Sequence, residues 1–316
     1  MTATSILLAH PRQEPMTGEV AAAIEGLGAN VTLSVVDTPN DAIAAAPDAE
    51  VLLAFSATEP LLAAAPRLRW IQALGSGVDG FVRCASLRSD VILTNAAGLH
   101  AGPVSEAILA MLLALARRLP EAFRDQQARH WGVWMPRLLS ASEVLVVGVG
   151  AIGAAVGAKC STLGSRVIGI SRRTDLPAGF QALYPRGALH ERLPRADFIV
   201  LTAPLSRDTA GLIDADALAR MKPSAYLINA ARGGLVDEGA LIEALVSKRI
   251  AGAALDVFAT EPLPRESPLW DLPTVIVTPH RAGYHSEYGG RVAEIVVRNL
   301  RLYLAGRFDE LINRVC

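Results

Sequence analysis

The sequence runs to 316 residues, with 30 Lys and Arg against 31 Asp and Glu, a formal net charge of −1, and 51% hydrophobic against 19% charged residues. Such a chain is long enough for about two domains, each with its own core, and too apolar to be disordered. The charge balance leaves no surplus of Lys and Arg to track a phosphate backbone, so no nucleic-acid partner is expected.

In chain order, apolar β-rich runs at residues 5–9, 31–36, 50–55, 69–74 and 91–94 alternate with Ala/Leu-rich helical segments. This alternation predicts an α/β domain with a parallel sheet, whose strands are covered on both faces by crossover helices. Residues 104–118 predict a long helix linking two domains, with Glu106 near its start and Arg117 and Arg118 at its end, as the helix dipole prefers. The segment at 131–136 reads as an irregular arm whose Trp131 and Trp134 serve either as core anchors or as an oligomer contact. A second strand series follows at 143–148, 166–170, 197–202, 225–229, 251–255 and 275–278, predicting a second parallel sheet. The helical pattern at 286–305, with Val292, Ile295, Val296, Leu300 and Tyr303 near helical spacing, is expected to pack back on the first domain.

The longest uncharged apolar stretches, 107–116 and 144–158, fall short of the ~18 residues that cross a bilayer, so no membrane partner is expected. The first ten residues lack the features of a secretion signal, and Cys84, Cys160 and Cys316 lack paired or metal-ligand spacing. These point to reduced, structural thiols in a cytoplasmic protein without a metal site.

The densest chemical signal is the apolar run 144–147 leading into Gly148, Gly150 and Gly153, a G-x-G-x-x-G between a strand and a small-residue helix. Gly148 permits the tight turn, Gly150 lets the backbone approach a pyrophosphate, and Gly153 allows close helix packing. The helix start at Ala151 and Ile152 offers N–H groups to the anion. Where an NAD-selective site carries Asp or Glu after the next strand, this chain has Ser171, Arg172 and Arg173. A hydroxyl and guanidinium groups there bind a 2′-phosphate, so NADP, with NADPH preferred over NADH, is the expected cofactor.

Three further segments complete a set: NAARGGLVD at 229–237, ALDVF at 254–258 with Glu261-Pro262 behind it, and Thr278-Pro279-His280. With the glycine fingerprint and Gly75-Ser76-Gly77-Val78-Asp79, they resemble the D-isomer-specific 2-hydroxyacid dehydrogenase family over essentially the whole chain. The resemblance implies a Rossmann-type cofactor domain, residues 100–285, inserted in a flavodoxin-like substrate domain, residues 1–99 plus 286–316, with the active site between them. It implies Arg232, Glu261 and His280 as the catalytic set, in a glyoxylate/hydroxypyruvate reductase-like enzyme acting on a small 2-oxo or 2-hydroxy acid. His280 is then the proton donor, Arg232 grips the substrate carboxylate and polarises the carbonyl, and Glu261 orients the imidazole. Thr202, Ala203 and Pro204 match the loop beside the adenosine half, and Ala230 and Asp256 the nicotinamide contacts. Ser76 and Gly77 either present backbone N–H groups to the substrate carboxylate or simply turn the chain.

Arg281 departs from the apolar residue commoner after the histidine. It is expected either to draw a second substrate anion or to face water. The other five histidines carry no comparable constellation. The resemblance also implies a homodimer. A nucleotide-sensing, corepressor-like protein with little turnover is the alternative, because relatives of that kind retain these motifs.

Overall fold

The computed structural model describes residues 3–11, 13–28 and 30–315, and Cys316 lies outside them. In chain order the elements are β1 (Thr4–Ala9), α1 (Pro15–Glu25), β2 (Val31–Val36), α2 (Pro39–Ala45), β3 (Val51–Ala54), α3 (Glu59–Ala63), β4 (Trp70–Ala73), α4 (Asp79–Val82) and β5 (Ile92–Thr94). There follow α5 (Ala101–Ala116), α6 (Leu119–Ala128), β6 (Glu143–Val147), α7 (Ala151–Thr162), β7 (Arg166–Ile170), β8 (Ala182–Tyr184), α8 (Leu189–Arg192) and β9 (Phe198–Leu201). The chain ends through α9 (Ala215–Arg220), β10 (Tyr226–Asn229), α10 (Glu238–Val246), β11 (Gly252–Leu255), β12 (Val275–Val277) and α11 (Tyr288–Leu304). It divides into two compact units, Met1–Leu99 with His285–Cys316, and His100–Tyr284.

The first unit is a five-stranded sheet in the order β2-β1-β3-β4-β5, every pair parallel, which is the flavodoxin-like order. Because successive strand residues face opposite ways, Ile6 and Leu8 join Val292, Val296 and Leu300 of α11 on one face. Leu7 packs with Ala42, Leu61 and Ile71 on the other. The C-terminal helix thus completes this unit's core, as its apolar spacing predicts. A buried polar chain crosses it: Asn299 Nδ2 donates to Gln72 Oε1 at 2.8 Å, and Thr94 Oγ1 donates to the same oxygen at 2.7 Å. Trp70 Nε1 in turn donates to Thr94 Oγ1 at 2.9 Å, so the network is closed and carries little of the usual cost of polar burial.

The second unit is a seven-stranded parallel sheet, β12-β11-β10-β9-β6-β7-β8. The strand order reverses between β6 and β9, which opens a crevice at their carboxyl ends. Val144, Val146, Phe198 and Val200 face Ile108 and Leu112 of α5 and Val156 of α7, whereas Leu145, Val147, Ile199 and Leu201 face Leu218, Leu241 and Leu245. Two elements depart from expectation. The long helix spans 101–116 rather than 104–118, because Arg118 adopts a left-handed φ of 57° and starts the separate helix α6. That long helix is also part of this unit's core, more than a link. Trp131 is 93% exposed and anchors no core, with Val133 and Met135 of the same arm at 91% and 89%. Among the described residues, no helix is long and apolar enough to cross a membrane.

Candidate active site

Two glycines, Gly148 and Gly153, let the loops that form the crevice close on one another. Gly148 has φ +98°, and a Cβ on it would sit 2.4 Å from Ala203 N, so the turn after β6 lies directly on the loop after β9. A Cβ on Gly153 would come within 2.2 Å of Gly148 O and 2.8 Å of Thr202 Oγ1. Thr202 locks the two loops by donating its hydroxyl to Gly148 O at 2.6 Å. Gly150 differs: nothing lies within 4 Å of its Cβ position, and it caps α7 with no side-chain oxygen on the first-turn N–H groups. The space in front of this helix start is therefore open, a cradle that a side chain at 150 would begin to fill. That arrangement fits a pyrophosphate. The cleft it opens into has a volume of about 940 Å³ and is lined by Ser171, Arg172, Arg173, Ala203 and Pro204 among others.

Behind β7, Ser171 Oγ accepts the Arg173 N–H at 3.1 Å, which folds the loop so that residues 171–173 line the cleft. Arg173 pairs with Asp175 through two nitrogens, and this hydrogen bond holds the Asp175 carboxyl below the ordinary carboxylate range. Among the described residues, no hydrogen bond or ion pair reaches Arg172. The sequence reading missed two further cleft guanidiniums, Arg186 and Arg207. Arg207 follows β9 at the ligand-binding end of the sheet, a place strand order marks once it is known. Arg186 follows β8, and no periodicity reveals that three-residue strand.

The catalytic candidates converge on the loops after β10, β11 and β12. The buried Asn229, which opens the 229–237 motif but is given no role by the sequence, braces the first: its Nδ2 donates to Arg232 O at 2.9 Å and its Oδ1 accepts from Ala231 N at 3.1 Å. A Cβ on Gly233 would overlap Phe258 O at 1.9 Å, so only glycine lets the Arg232 loop lie against the segment leading to Glu261. Glu261 Oε1 accepts from Phe258 N at 3.0 Å, and Oε2 lies 2.7 Å from His280 Nδ1. Partial burial alone would raise the Glu261 pKa. The His280 hydrogen bond, the Phe258 N–H and the charges of His280 and Arg232 outweigh it and hold the carboxyl below its ordinary value. An ionised Glu261 only accepts, so Nδ1 donates and Nε2 is left for proton exchange; the imidazole side chain is 50% exposed.

His280 itself has φ +54°, an uncommon conformation for a side-chain-bearing residue, and Asp256 holds it there. The Asp256 carbonyl accepts His280 N at 2.8 Å. Its carboxylate, 1% exposed, accepts Thr278 Oγ1 at 2.6 Å, Arg281 N at 2.9 Å and Ala282 N at 3.0 Å. Ala230 is half-buried in the braced loop after β10. Arg281 stacks its guanidinium on the Tyr284 ring at 4.4 Å. Ser76 and Gly77 belong to the first unit, where they follow β4 at the carboxyl end of its sheet, and Asn95 Nδ2 donates to Ser76 O at 2.9 Å. Cys160 is buried, which pushes its thiol up to about 12 and leaves it inert.

The sequence profile of the D-isomer specific 2-hydroxyacid dehydrogenase NAD binding domain matches residues 109–282. The chain is 38% identical over 295 residues to a D-3-phosphoglycerate dehydrogenase of Mycobacterium leprae, covering 90% of this chain and 55% of that protein. It therefore spans about half the length of that relative. It is 35% identical over 260 residues to a glyoxylate reductase of Korarchaeum cryptofilum, covering 79% of this chain and 78% of that one. A D-isomer specific 2-hydroxyacid dehydrogenase from Xanthobacter autotrophicus Py2, solved in complex with NADPH and MES, superposes with a TM-score of 0.81 at 30% identity, covering 99% of this chain and 98% of that one. With the profile covering more than half of it, the chain belongs to the D-isomer specific 2-hydroxyacid dehydrogenase family.

Proposed function

We propose that the protein reduces a small 2-oxo acid, with glyoxylate and hydroxypyruvate as the candidate substrates, to a D-2-hydroxy acid using NADPH. The observation that carries this reading is the His280–Glu261 pair at 2.7 Å, within the field of Arg232, on loops at the carboxyl ends of a parallel sheet. The glyoxylate reductase and the NADPH-bound relative support the substrate class and the cofactor.

Gly148, Gly150, Ala151, Ile152 and Gly153 would hold the pyrophosphate, Ser171, Arg172 and Arg173 the 2′-phosphate, Thr202, Ala203 and Pro204 the adenosine half, and Ala230 and Asp256 the nicotinamide amide. When bound, the nicotinamide supplies a hydride to the carbonyl carbon. His280 delivers a proton from Nε2 to the carbonyl oxygen, and Glu261 stabilises the imidazolium that must carry it. Arg232 binds the substrate carboxylate with paired donors and draws electron density toward the carbonyl oxygen. The half-exposed imidazole then recovers its proton from solvent.

A cytoplasmic location and a homodimer belong to the same reading. The exposed Trp131, Val133 and Met135 support the dimer, since three large apolar side chains exposed together at alternate positions of one arm favour a partner surface. The test is a panel of 2-oxo acids assayed with NADPH and NADH. Turnover of glyoxylate or hydroxypyruvate with NADPH is expected, and cofactor binding without turnover of any 2-oxo acid would favour the sensor alternative.

A further inference from the structure

The loop after β7 presents two adjacent guanidiniums to the cleft, and the geometry separates them. Arg173 Nε donates to Asp175 Oδ1 at 3.0 Å and its Nη2 donates to Oδ2, a two-pronged pairing that uses the edge with which an arginine grips a phosphate. Nη1 lies 3.5 Å from the carbonyl of Val149 in the glycine loop, so this guanidinium is laid against the cofactor cleft. Arg172 has no such partner among the described residues. The contrast repeats across the cleft, where Arg186 pairs with Asp208 and no hydrogen bond or ion pair among the described residues reaches Arg207.

We propose that Asp175 is a specificity-determining residue: its carboxylate competes with the cofactor's 2′-phosphate for Arg173 and lowers the preference for NADPH over NADH. The inference rests on the 2′-phosphate reading of residues 171–173. A phosphate dianion entering beside Arg173 must displace Asp175 or share the guanidinium with it, and a carboxylate left nearby repels the phosphate. NADH, with a hydroxyl at the same place, needs no such exchange. Asp175 is 68% exposed, so solvent screens the competition and its size is a few-fold rather than orders of magnitude.

The experiment titrates D175N, R173Q and R172Q with NADPH and with NADH, following cofactor fluorescence at low and high ionic strength. D175N is expected to bind NADPH about three- to fivefold more tightly, a gain that shrinks at high salt, with NADH affinity unchanged. R173Q is expected to weaken NADPH alone. If R173Q weakens NADPH while D175N leaves the NADPH-to-NADH ratio unmoved or lowers it, the competition is overturned and the 2′-phosphate reading stands. If neither R173Q nor R172Q moves that ratio, the 2′-phosphate reading fails and this inference with it.

Discussion

The backbone carbonyl of Asp256 accepts the N–H of His280 at 2.8 Å, and the Asp256 carboxylate takes the two N–H groups that follow, from Arg281 and Ala282. A buried acid at the end of β11 thus fixes the left-handed backbone from which the proposed proton donor springs. In Asp256→Asn, one carboxylate oxygen becomes an amide that faces a backbone donor. The variant should lose about 2 kcal/mol of stability, the cost of an unsatisfied buried group, and kcat should fall at least tenfold through misplacement of His280. Thermal unfolding and steady-state rates check this; unchanged values in both would show that the clamp is idle.

Glu261 is ionised across the working range because its folded-state pKa lies below the ordinary value. The stability it contributes is therefore present above the unfolded carboxyl pKa of about 4.3 and is lost as pH falls through the depressed folded value. Glu261→Gln should flatten that acid-side loss. It should also lower kcat for 2-oxo acid reduction across the pH–rate profile, since the proposed proton donor loses the carboxylate that orients its ring. A profile superimposable on the parent's would remove Glu261 from the mechanism.

The glycine loop separates fold from binding. Gly148→Ala places a methyl group 2.4 Å from Ala203 N at a positive φ, so both stability and NADPH affinity should drop, with a loss of 2 kcal/mol or more as the rough scale for such strain. Gly150→Ala meets nothing within 4 Å. It should leave the melting temperature within about 2 °C and still weaken NADPH at least tenfold, because the methyl group fills the proposed pyrophosphate cradle. Equal NADPH affinity in Gly150→Ala and parent would argue against that placement.

What could be read along the chain was what local chemistry dictates. Residues 144–153 announce a strand, a turn and a helix start because an apolar run meets Gly148 and Gly153, which answer nearby steric demands, and Gly150, which opens the helix start. The elements missed lack such a signal: β8 has three half-buried residues, too few for periodicity, and α6 buries no side chain, so no apolar stripe marks it. Arg232, Glu261 and His280 lie at the ends of different strands, and only resemblance, not spacing, linked them. Asn229 and Asp256 brace these loops through bonds to backbone N–H and C=O groups whose positions no single strand reveals.

The arm around Trp131 offers a separate test. Replacing Trp131 and Met135 together by Ser should shift the protein from dimer toward monomer in sedimentation velocity, with the melting temperature of the monomer fraction nearly unchanged, since neither side chain packs into the core. A parent protein that sediments as a monomer at micromolar concentration would withdraw the dimer.

His280 Nε2 is the proposed donor of the proton to the substrate. The most direct measurement is the rate of glyoxylate or hydroxypyruvate reduction by His280→Ala, beside its NADPH affinity. A fall of roughly 10²- to 10⁴-fold in kcat with the NADPH dissociation constant within about twofold of the parent is the predicted result. A kcat close to the parent's would contradict the account.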